Sequence, residues 1–355
     1  MVNIADRAGS GVMGRRGVSR ALVVLLLGAL LAACAGGEDN RQGGTSAPSA
    51  PAAAGSEDAE SAGDLVPVSF AASAGSSSIG LLAGLIKDRG IDRAHGIDLQ
   101  ISEFAPDAAE QALLTGQVDT SFFAPVSWAK VREEGRDIVF LRPIQQAHTA
   151  VVVRDDSPYQ SLQDLQGERV ATLNPVSGVY TSMQVLAAEV GLSWEGDFEV
   201  ISAPPPGLVA FIEGGDAEAI VHFEPTVSSL LADGGYRIVM TPSERWEELT
   251  GAPLFMLGLA TTREWMEANP QAARNLSAVI QQAVETLHDD PSVIADYQEP
   301  LGLSDEALEI AQERMSDIYI PEDPADIEDN VHHLLERAHE LGIIGEIPEP
   351  IFEEP

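Results

Sequence analysis

Cysteine and lysine are almost missing from this chain of 355 residues. Cys34 is its one cysteine, and Lys87 and Lys130 are its two lysines. Without cysteine, the rest of the chain can form no disulfide, thiolate nucleophile or cysteine-ligated metal site. Acids outnumber bases so strongly that the formal net charge is -36. Such a charge repels phosphate backbones, which excludes nucleic acid as a partner.

Long apolar runs are also scarce, and the clearest one lies near the N-terminus. Residues 21–31 carry no charge and follow a stretch with four arginines, which is the order of a secretory signal. The run is shorter than the roughly 20 apolar residues of a membrane-spanning helix. It ends in L-A-A-C at 31–34, which resembles a lipoprotein cleavage motif. We therefore predict a signal peptide over 1–33 and a lipidated Cys34 that anchors the protein to the cell membrane on its extracytoplasmic side.

The next thirty residues predict a flexible tether. Residues 35–64 contain no aromatic side chain and no aliphatic one larger than alanine, so they cannot bury enough apolar surface to order themselves. About 290 residues follow, a length that suits one large α/β domain or two lobes. We expect this part of the chain to act as a monomer.

From residue 65 onward, short β-branched segments alternate with helical stretches. Strands are predicted at 66–72, 97–104, 120–123 and 138–141, and again at 169–173, 198–202, 219–223 and 237–240. This alternation is typical of βαβ units and predicts an α/β protein.

The two series of strands repeat at a spacing of about one hundred residues. The matching residues are Gly116, Pro125, Gly135 and Ile138 in the first series, and Gly215, Pro225, Gly235 and Ile238 in the second. We therefore predict two similar lobes, each a mixed, mostly parallel sheet flanked by helices. The apolar segment 255–260 is expected to return as a buried strand to the first lobe. Lobe 1 is thus predicted to be 65–152 plus 255–355, lobe 2 to be 153–254, and the two crossings to form a hinge.

One segment carries a specific family resemblance. Residues 161–170 read S-L-Q-D-L-Q-G-E-R-V, which resembles the S-L-x-D-L-x-G-K-x-V segment of substrate-binding proteins of ABC importers. The similar group binds sulfonates, taurine, nitrate or thiamine pyrimidines and is called SsuA/THI5-like or NMT1-like. Further matches are Leu113 and Gly116 in the first lobe and Pro205 and Phe211 in the second.

The resemblance implies a type 2 periplasmic-binding-protein fold that captures a small organic solute, sulfonate-like, taurine-like or pyrimidine-like, between its lobes. It implies as partners an ABC permease and its ATPase. The chain departs from the family at two places. Phe223-Glu224-Pro225 stands where the family often has W-D-P, and Val176-Ser177-Gly178 stands where it often has G-S-S.

Ligands of open parallel sheets bind beyond the carboxyl ends of strands, where helix N-termini offer unpaired N–H groups. This rule selects loops in both lobes, together with a histidine near the first crossing. The candidate ligand-binding residues are Ser76, Ser77, Ser78, Phe123, Ala124, His148, Ser177, Gly178, Tyr180, His222 and Glu224.

Each candidate also has an alternative interpretation. The serines could serve only as helix caps, Tyr180 could be core, and His148 could be a hinge residue. Phe122 and Phe123 are neighbours on a strand, so their side chains should point to opposite faces. We expect Phe123 to face the cleft and Phe122 to face the core. Glu224 at the cleft would attract a cation or an N–H donor.

The sequence shows no G-x-S-x-G, H-E-x-x-H, phosphate-loop or C-x-x-C motif. His332, Glu336 and His339 share one face of a predicted helix and are the nearest approach to a metal-binding set, but we interpret them as part of a solvated acidic helix. We predict a binding protein without catalytic residues, metal or cofactor. The alternatives are an extracytoplasmic enzyme similar to the thiamine-pyrimidine synthases of this fold, which use a pyridoxal-phosphate lysine, and a sensory binding protein.

Overall fold

The computed structural model describes residues 65–355. In this range the strands are β1 Val66–Ser73, β2 Ile97–Phe104, β3 Thr120–Phe123, β4 Ile138–Gln146, β5 Thr149–Arg154, β6 Arg169–Thr172, β7 Glu199–Ser202, β8 Ala219–Phe223, β9 Tyr236–Met240 and β10 Phe255–Thr262.

The α-helices of the same range are α1 Ser78–Asp88, α2 Ile91–Ala94, α3 Pro106–Leu114, α4 Pro125–Glu133, α5 Gly178–Glu189, α6 Pro205–Gly214, α7 Thr226–Asp233, α8 Pro242–Thr250, α9 Arg263–Ala268, α10 Pro270–Asp289, α11 Gln298–Leu301, α12 Asp305–Met315 and α13 Pro324–Glu340. Three 3₁₀ segments occur at Gln163–Leu165, Pro291–Tyr297 and Ser316–Ile318.

The strands form two sheets with the same topology. The first sheet has the order β2-β1-β3-β10-β4 and the second the order β7-β6-β8-β5-β9. In the first, β1 is parallel to β2 and β3, while β10 is antiparallel to β3 and β4. In the second, β6 is parallel to β7 and β8, while β5 is antiparallel to β8 and β9. The predicted α/β fold with two similar mixed sheets is confirmed.

The repeated glycines have a common conformational role. Gly116 and Gly215 follow helices α3 and α6 with φ of 69° and 72°, and Gly135 and Gly235 follow α4 and α7 with φ of 83° and 80°. These are left-handed conformations that side chains with a Cβ rarely adopt. The glycines therefore end equivalent helices in the two lobes, which explains the repeat seen in the sequence.

The two crossings between the sheets lie side by side. The first consists of residues 147–148, and the second precedes β10. The Ala147 N–H donates to Leu254 O at 2.7 Å, which joins the crossings directly. The prediction that the first lobe extends to residue 152 is wrong, because β5 pairs with β8 and β9 in the second sheet. The apolar run at 150–153 in β5 fits the interior of either sheet. The sequence alone therefore did not assign β5 to the correct lobe.

The helices after β10 were predicted to belong to the first lobe. Not all of them do. Helix α10 packs on α1 and β4, whereas α12 packs on α7 of the second lobe and α13 contacts α4 and α5. Two ion pairs accompany these contacts, Arg314 with Glu224 and Arg337 with Glu189. The C-terminal helices thus form a third link between the lobes, noncovalent and separate from the crossings.

The predicted signal peptide, Cys34 and the tether at 35–64 lie outside the described residues. Between residues 65 and 355, no helix combines the length and the apolar sequence that crossing a bilayer requires.

Candidate ligand-binding site

A cavity lies between the lobes at the carboxyl ends of β1, β3, β6 and β8. Its volume, for the centre of a water-sized sphere, is about 90 Å³. One ordered water needs about 10–15 Å³ by this measure, so the space suits several waters or one compact solute. Both lobes line it: Ser73, Ser77, Ser78, Ile79, Glu110, Phe122, Ala124, His148, Thr149, Leu173, Val176, Ser177, Gly178, Val179, Phe223, Met256 and Leu257.

The first lobe presents the N-terminus of α1 to the cavity. Ser77 caps this helix, because its Oγ accepts from the Gly80 N–H at 3.0 Å and donates to Ala74 O at 2.7 Å. Its only hydroxyl hydrogen is thereby donated within the protein. Ser78 is different, since its Oγ lies 3.2 Å from Gln145 Oε1 and 3.3 Å from His148 Nε2 at the cavity wall.

The second lobe presents the N-terminus of α5 opposite it. Ser177 caps this helix by accepting from the Tyr180 N–H at 3.2 Å. Gly178 follows, and a Cβ built there would lie 2.4 Å from the Cβ of Ala124 in the other lobe. Ser127 Oγ also donates to Val176 O at 2.8 Å across the cleft. The lobes are therefore in direct contact at this edge of the cavity, and Gly178 permits the approach.

His148 lies on the first crossing and joins the cavity to the hinge. Its Nδ1 lies 3.3 Å from Gln146 O, and its ring meets Phe223 edge-on at a centroid distance of 6.1 Å. Burial is the main reason that the pKa of His148 is below its usual value, although the Gln146 carbonyl and Glu224 oppose the shift. The imidazole is thus neutral near pH 7. With Nδ1 donating to Gln146 O, Nε2 is an acceptor facing Ser78.

Much of the remaining wall is apolar and was not predicted from the sequence. Phe122, Leu173, Met256 and Leu257 line the cavity, together with one carboxylate, Glu110 of α3. Glu110 Oε1 accepts from the Ala124 N–H at 3.4 Å. Glu110 follows two alanines on a helix that reads as an ordinary amphipathic segment, so the sequence carries no signal for its role.

The structure brings together Ser77, Ser78, Ala124, His148, Ser177 and Gly178 from the predicted set. Ser76 is exposed and does not line the cavity. The expected orientation of the phenylalanine pair is reversed, because Phe123 is fully buried in the core and Phe122 faces the cavity. Strand alternation predicts that the two side chains point to opposite faces of β3, but it does not say which face packs against the core.

Tyr180 belongs to the core of the second lobe and not to the cavity. Its ring packs edge-on against Trp194, and its hydroxyl donates to Glu195 Oε1 at 2.7 Å. Burial, followed by this hydrogen bond, raises the pKa of Tyr180 above its usual value.

His222 and Glu224 also lie outside the cavity lining, contrary to prediction. His222 is fully buried, with Nε2 3.2 Å from Pro205 O. Glu224 is 1% exposed and accepts from the Ser228 N–H at 3.0 Å and the Ser228 hydroxyl at 2.7 Å. Its other oxygen accepts from Arg314 Nε. The carboxylate therefore serves the contact between α7 and α12 and does not line this cavity.

The histidines of α13 contact glutamates and a backbone carbonyl. His332 lies 3.4 Å from Glu336 and 3.4 Å from Glu349, and His339 Nδ1 lies 3.3 Å from Ile344 O. Among residues 65–355, no cluster of histidine, cysteine, aspartate or glutamate has the arrangement of a metal site.

Two lobes of the same topology, joined by adjacent crossings and with a cavity between them, define the periplasmic-binding-protein fold. The solved structures agree with this class. The aliphatic sulphonate binding protein SsuA of Escherichia coli has a TM-score of 0.65 at 18% identity, with 81% of this chain and 97% of that chain covered. The alkanesulfonate-binding SsuA of Xanthomonas axonopodis pv. citri, bound to MOPS, gives 0.65 at 17% identity, covering 81% and 96%.

The family follows from the sequence itself. The pattern of the family described as NMT1/THI5 like matches residues 85–294, more than half of the chain. The chain belongs to this family, as the sequence resemblance had predicted. A curated relative, the nitrate import ATP-binding protein NrtC of Synechococcus elongatus, is 22% identical over 264 residues. The match covers 68% of this chain and 39% of that longer protein.

Proposed function

We propose that the protein is an extracytoplasmic solute-binding protein that captures a small organic solute between its lobes and delivers it to an ABC permease driven by an ATPase. Sulfonate-like, taurine-like and pyrimidine-like solutes are the classes that the family resemblance suggests. The protein is proposed to act as a monomer, held at the membrane by a lipid on Cys34.

The cavity between the lobes is the observation that carries this proposal. Its wall combines apolar side chains with hydroxyls, helix N-termini and one carboxylate, which is the composition of a small-molecule site. The lobes touch through Ala124 and Gly178 at its edge, and residues 147–148 and 251–254 connect them. Lobes connected in this way can rotate about the crossings, which would widen and narrow the cavity between them.

Solute-induced closure tests the proposal. The purified protein is titrated with a broad panel of alkanesulfonates, amino acids, nitrate and pyrimidines, while thermal denaturation and small-angle X-ray scattering are recorded. We expect at least one solute to raise the melting temperature and lower the radius of gyration. Absence of both changes over the whole panel would contradict a binding function.

The enzyme alternative meets a specific difficulty. Synthases of this fold use a cleft lysine, but Lys87 donates to Asp92 Oδ2 at 2.6 Å and to Leu99 O at 2.9 Å, outside the cavity. Lys130 on α4 is also absent from the cavity wall. We therefore propose binding without chemical turnover. Mass spectrometry of the bound solute before and after long incubation checks this, because a converted product would favour an enzyme.

A further inference from the structure

We propose that the solute is elongated, with a polar head group in the cavity and an apolar tail in an adjoining groove between the lobes. This rests on the proposed binding function and adds to it the shape and polarity of the solute. The groove, here called the tail groove, is lined by Ala105, Leu173, Asn174, Ser177, Ser202, Ala203, Pro204 and Pro205. A solute that is short and polar throughout does not reach this groove and is then a weaker ligand.

The tail groove adjoins the cavity, because Leu173 and Ser177 line both spaces. Ala105 belongs to the first lobe and the remaining lining residues to the second, so the groove lies between the lobes as the cavity does. By the measure used for the cavity, the groove has a volume of about 330 Å³, against about 90 Å³ for the cavity. A solute that is longer than the cavity can therefore extend into the groove without entering the core of either lobe.

The polar side chains of the tail groove already have partners within the second lobe. Ser202 Oγ donates to Leu173 O at 3.1 Å. Asn174 Oδ1 accepts from the Val176 N–H at 3.1 Å, and Ser177 caps α5. The other side chains of the lining are those of alanine, leucine and proline. A tail in this groove therefore gains affinity mainly by removing apolar surface from water.

The helix beside the tail groove offers no N–H groups at its start. Residues 204–206 are three consecutive prolines, of which Pro204 is the N-cap of α6 and Pro205 its first residue. Proline has no N–H, whereas α1 and α5 at the cavity begin with residues that do. The equivalent helix of the first lobe, α3, also begins with a proline. The cavity thus suits a polar head group, and the groove suits an apolar tail.

An exposed valine lies between the cavity and the tail groove. Val176 lines the cavity and yet is 63% exposed. It belongs to the loop 173–177, whose first and last residues line both spaces. The loop is held to the first lobe, because Ser127 Oγ donates to Val176 O at 2.8 Å. A tail that passes along this loop covers the valine and removes further apolar surface from water.

Homologous series of solutes test the inference. The full-length protein is titrated calorimetrically with n-alkanesulfonates from methanesulfonate to octanesulfonate, carboxylates from acetate to octanoate, and primary amides from acetamide to octanamide. In at least one series we expect the affinity to rise about two- to fourfold with each methylene added to the longer members, the range for partial to full burial of that group. Ala105→Trp places a ring in the groove. It should reduce this rise to below about 1.5-fold per methylene and leave the shortest members within about twofold of their wild-type affinity.

Ala94→Trp is the matched control. Ala94 is an exposed alanine at the end of α2 in the same lobe, and it lines neither the cavity nor the groove. The same ring at this position should therefore leave the rise with chain length unchanged. Ala105 is also exposed, so neither substitution alters the core, and thermal denaturation verifies that both variants fold.

Three results would overturn the inference. They are a wild-type affinity that stays constant or falls as the chain lengthens in every series, an unchanged rise in Ala105→Trp, and no binding by any member of the three series. Closure by a short solute whose longer analogues do not bind would overturn the tail groove and leave the binding function standing. Absence of closure with every solute of the broader panel would remove both.

Discussion

Replacing Gly178 with alanine tests whether the contact between the lobes controls solute affinity. The new Cβ would lie 2.4 Å from the Cβ of Ala124 and 3.3 Å from Sδ of Met256. Carbon atoms in contact are about 3.5–4.0 Å apart, so the lobes must separate by about 1 Å at this edge. Overpacking of this kind costs about 1–3 kcal/mol. If the cost falls on the closed form alone, solute binding should weaken about 5- to 150-fold.

The second lobe itself should tolerate the change. Gly178 is the first residue of α5, and its φ lies outside the left-handed region. Alanine is a better helix former than glycine, so the melting temperature of the solute-free protein should hold or rise slightly. Isothermal titration with the solute that saturates the wild type measures the affinity.

The matched rescue is Ala124→Gly in the same chain. It removes the atom at 2.4 Å and should restore most of the affinity, which gives a coupling energy of about 1–3 kcal/mol in a double-mutant cycle. Wild-type affinity in Gly178→Ala alone, or no recovery in the double variant, would refute the reasoning.

Three further predictions concern the ion pair between Arg314 and Glu224, the protonation of His148 and the lipid anchor. Arg314→Leu leaves the buried carboxylate of Glu224 without its cation and should lower the free energy of unfolding by about 2–4 kcal/mol, measured in urea; Glu224→Gln in the same chain should recover part of the loss. The pKa of folded His148 lies below that of the unfolded chain, so the unfolded state binds more protons and stability falls as pH drops through about 6.5. The wild type should therefore lose more stability than His148→Gln between pH 7.5 and 5.5, and equal losses would contradict a neutral His148. Cys34→Ser should release an intact, solute-competent protein from the membrane fraction, and a variant that stays in that fraction would argue against the lipid anchor.

The duplicated topology could be predicted because its signals are local. Glycines with positive φ end equivalent helices, and short β-branched runs mark equivalent strands. The residues at which the chain first crosses between the lobes could not be predicted exactly, because 150–153 is a uniformly apolar run. Which sheet it joins depends on pairing with Val221 and Met240, about seventy or more residues away. Such long-range pairing leaves no trace in local periodicity.

The candidate site was predictable only where backbone geometry defines it. The helix N-termini at Ser77 and Ser177 follow from the rule for parallel sheets, and both line the cavity. Glu224 satisfies the same rule, yet its carboxylate is held by Ser228 and Arg314. The partner lies on α12, ninety residues later, and the sequence does not indicate that this helix packs on the second lobe. Glu110 was missed for the corresponding reason, since its position at the cavity depends on how α3 packs.

The distance between the lobes, measured with and without solute, tests the central claim most directly. With Cys34 replaced by serine, the chain contains no other cysteine, so spin labels can be placed at Glu103→Cys and Glu199→Cys. Both residues are exposed and lie on strands of different sheets. Pulsed electron paramagnetic resonance should show a broad distance distribution that becomes narrower and shorter when a bound solute closes the lobes. An identical distribution with and without a saturating solute would contradict a two-lobed capture mechanism.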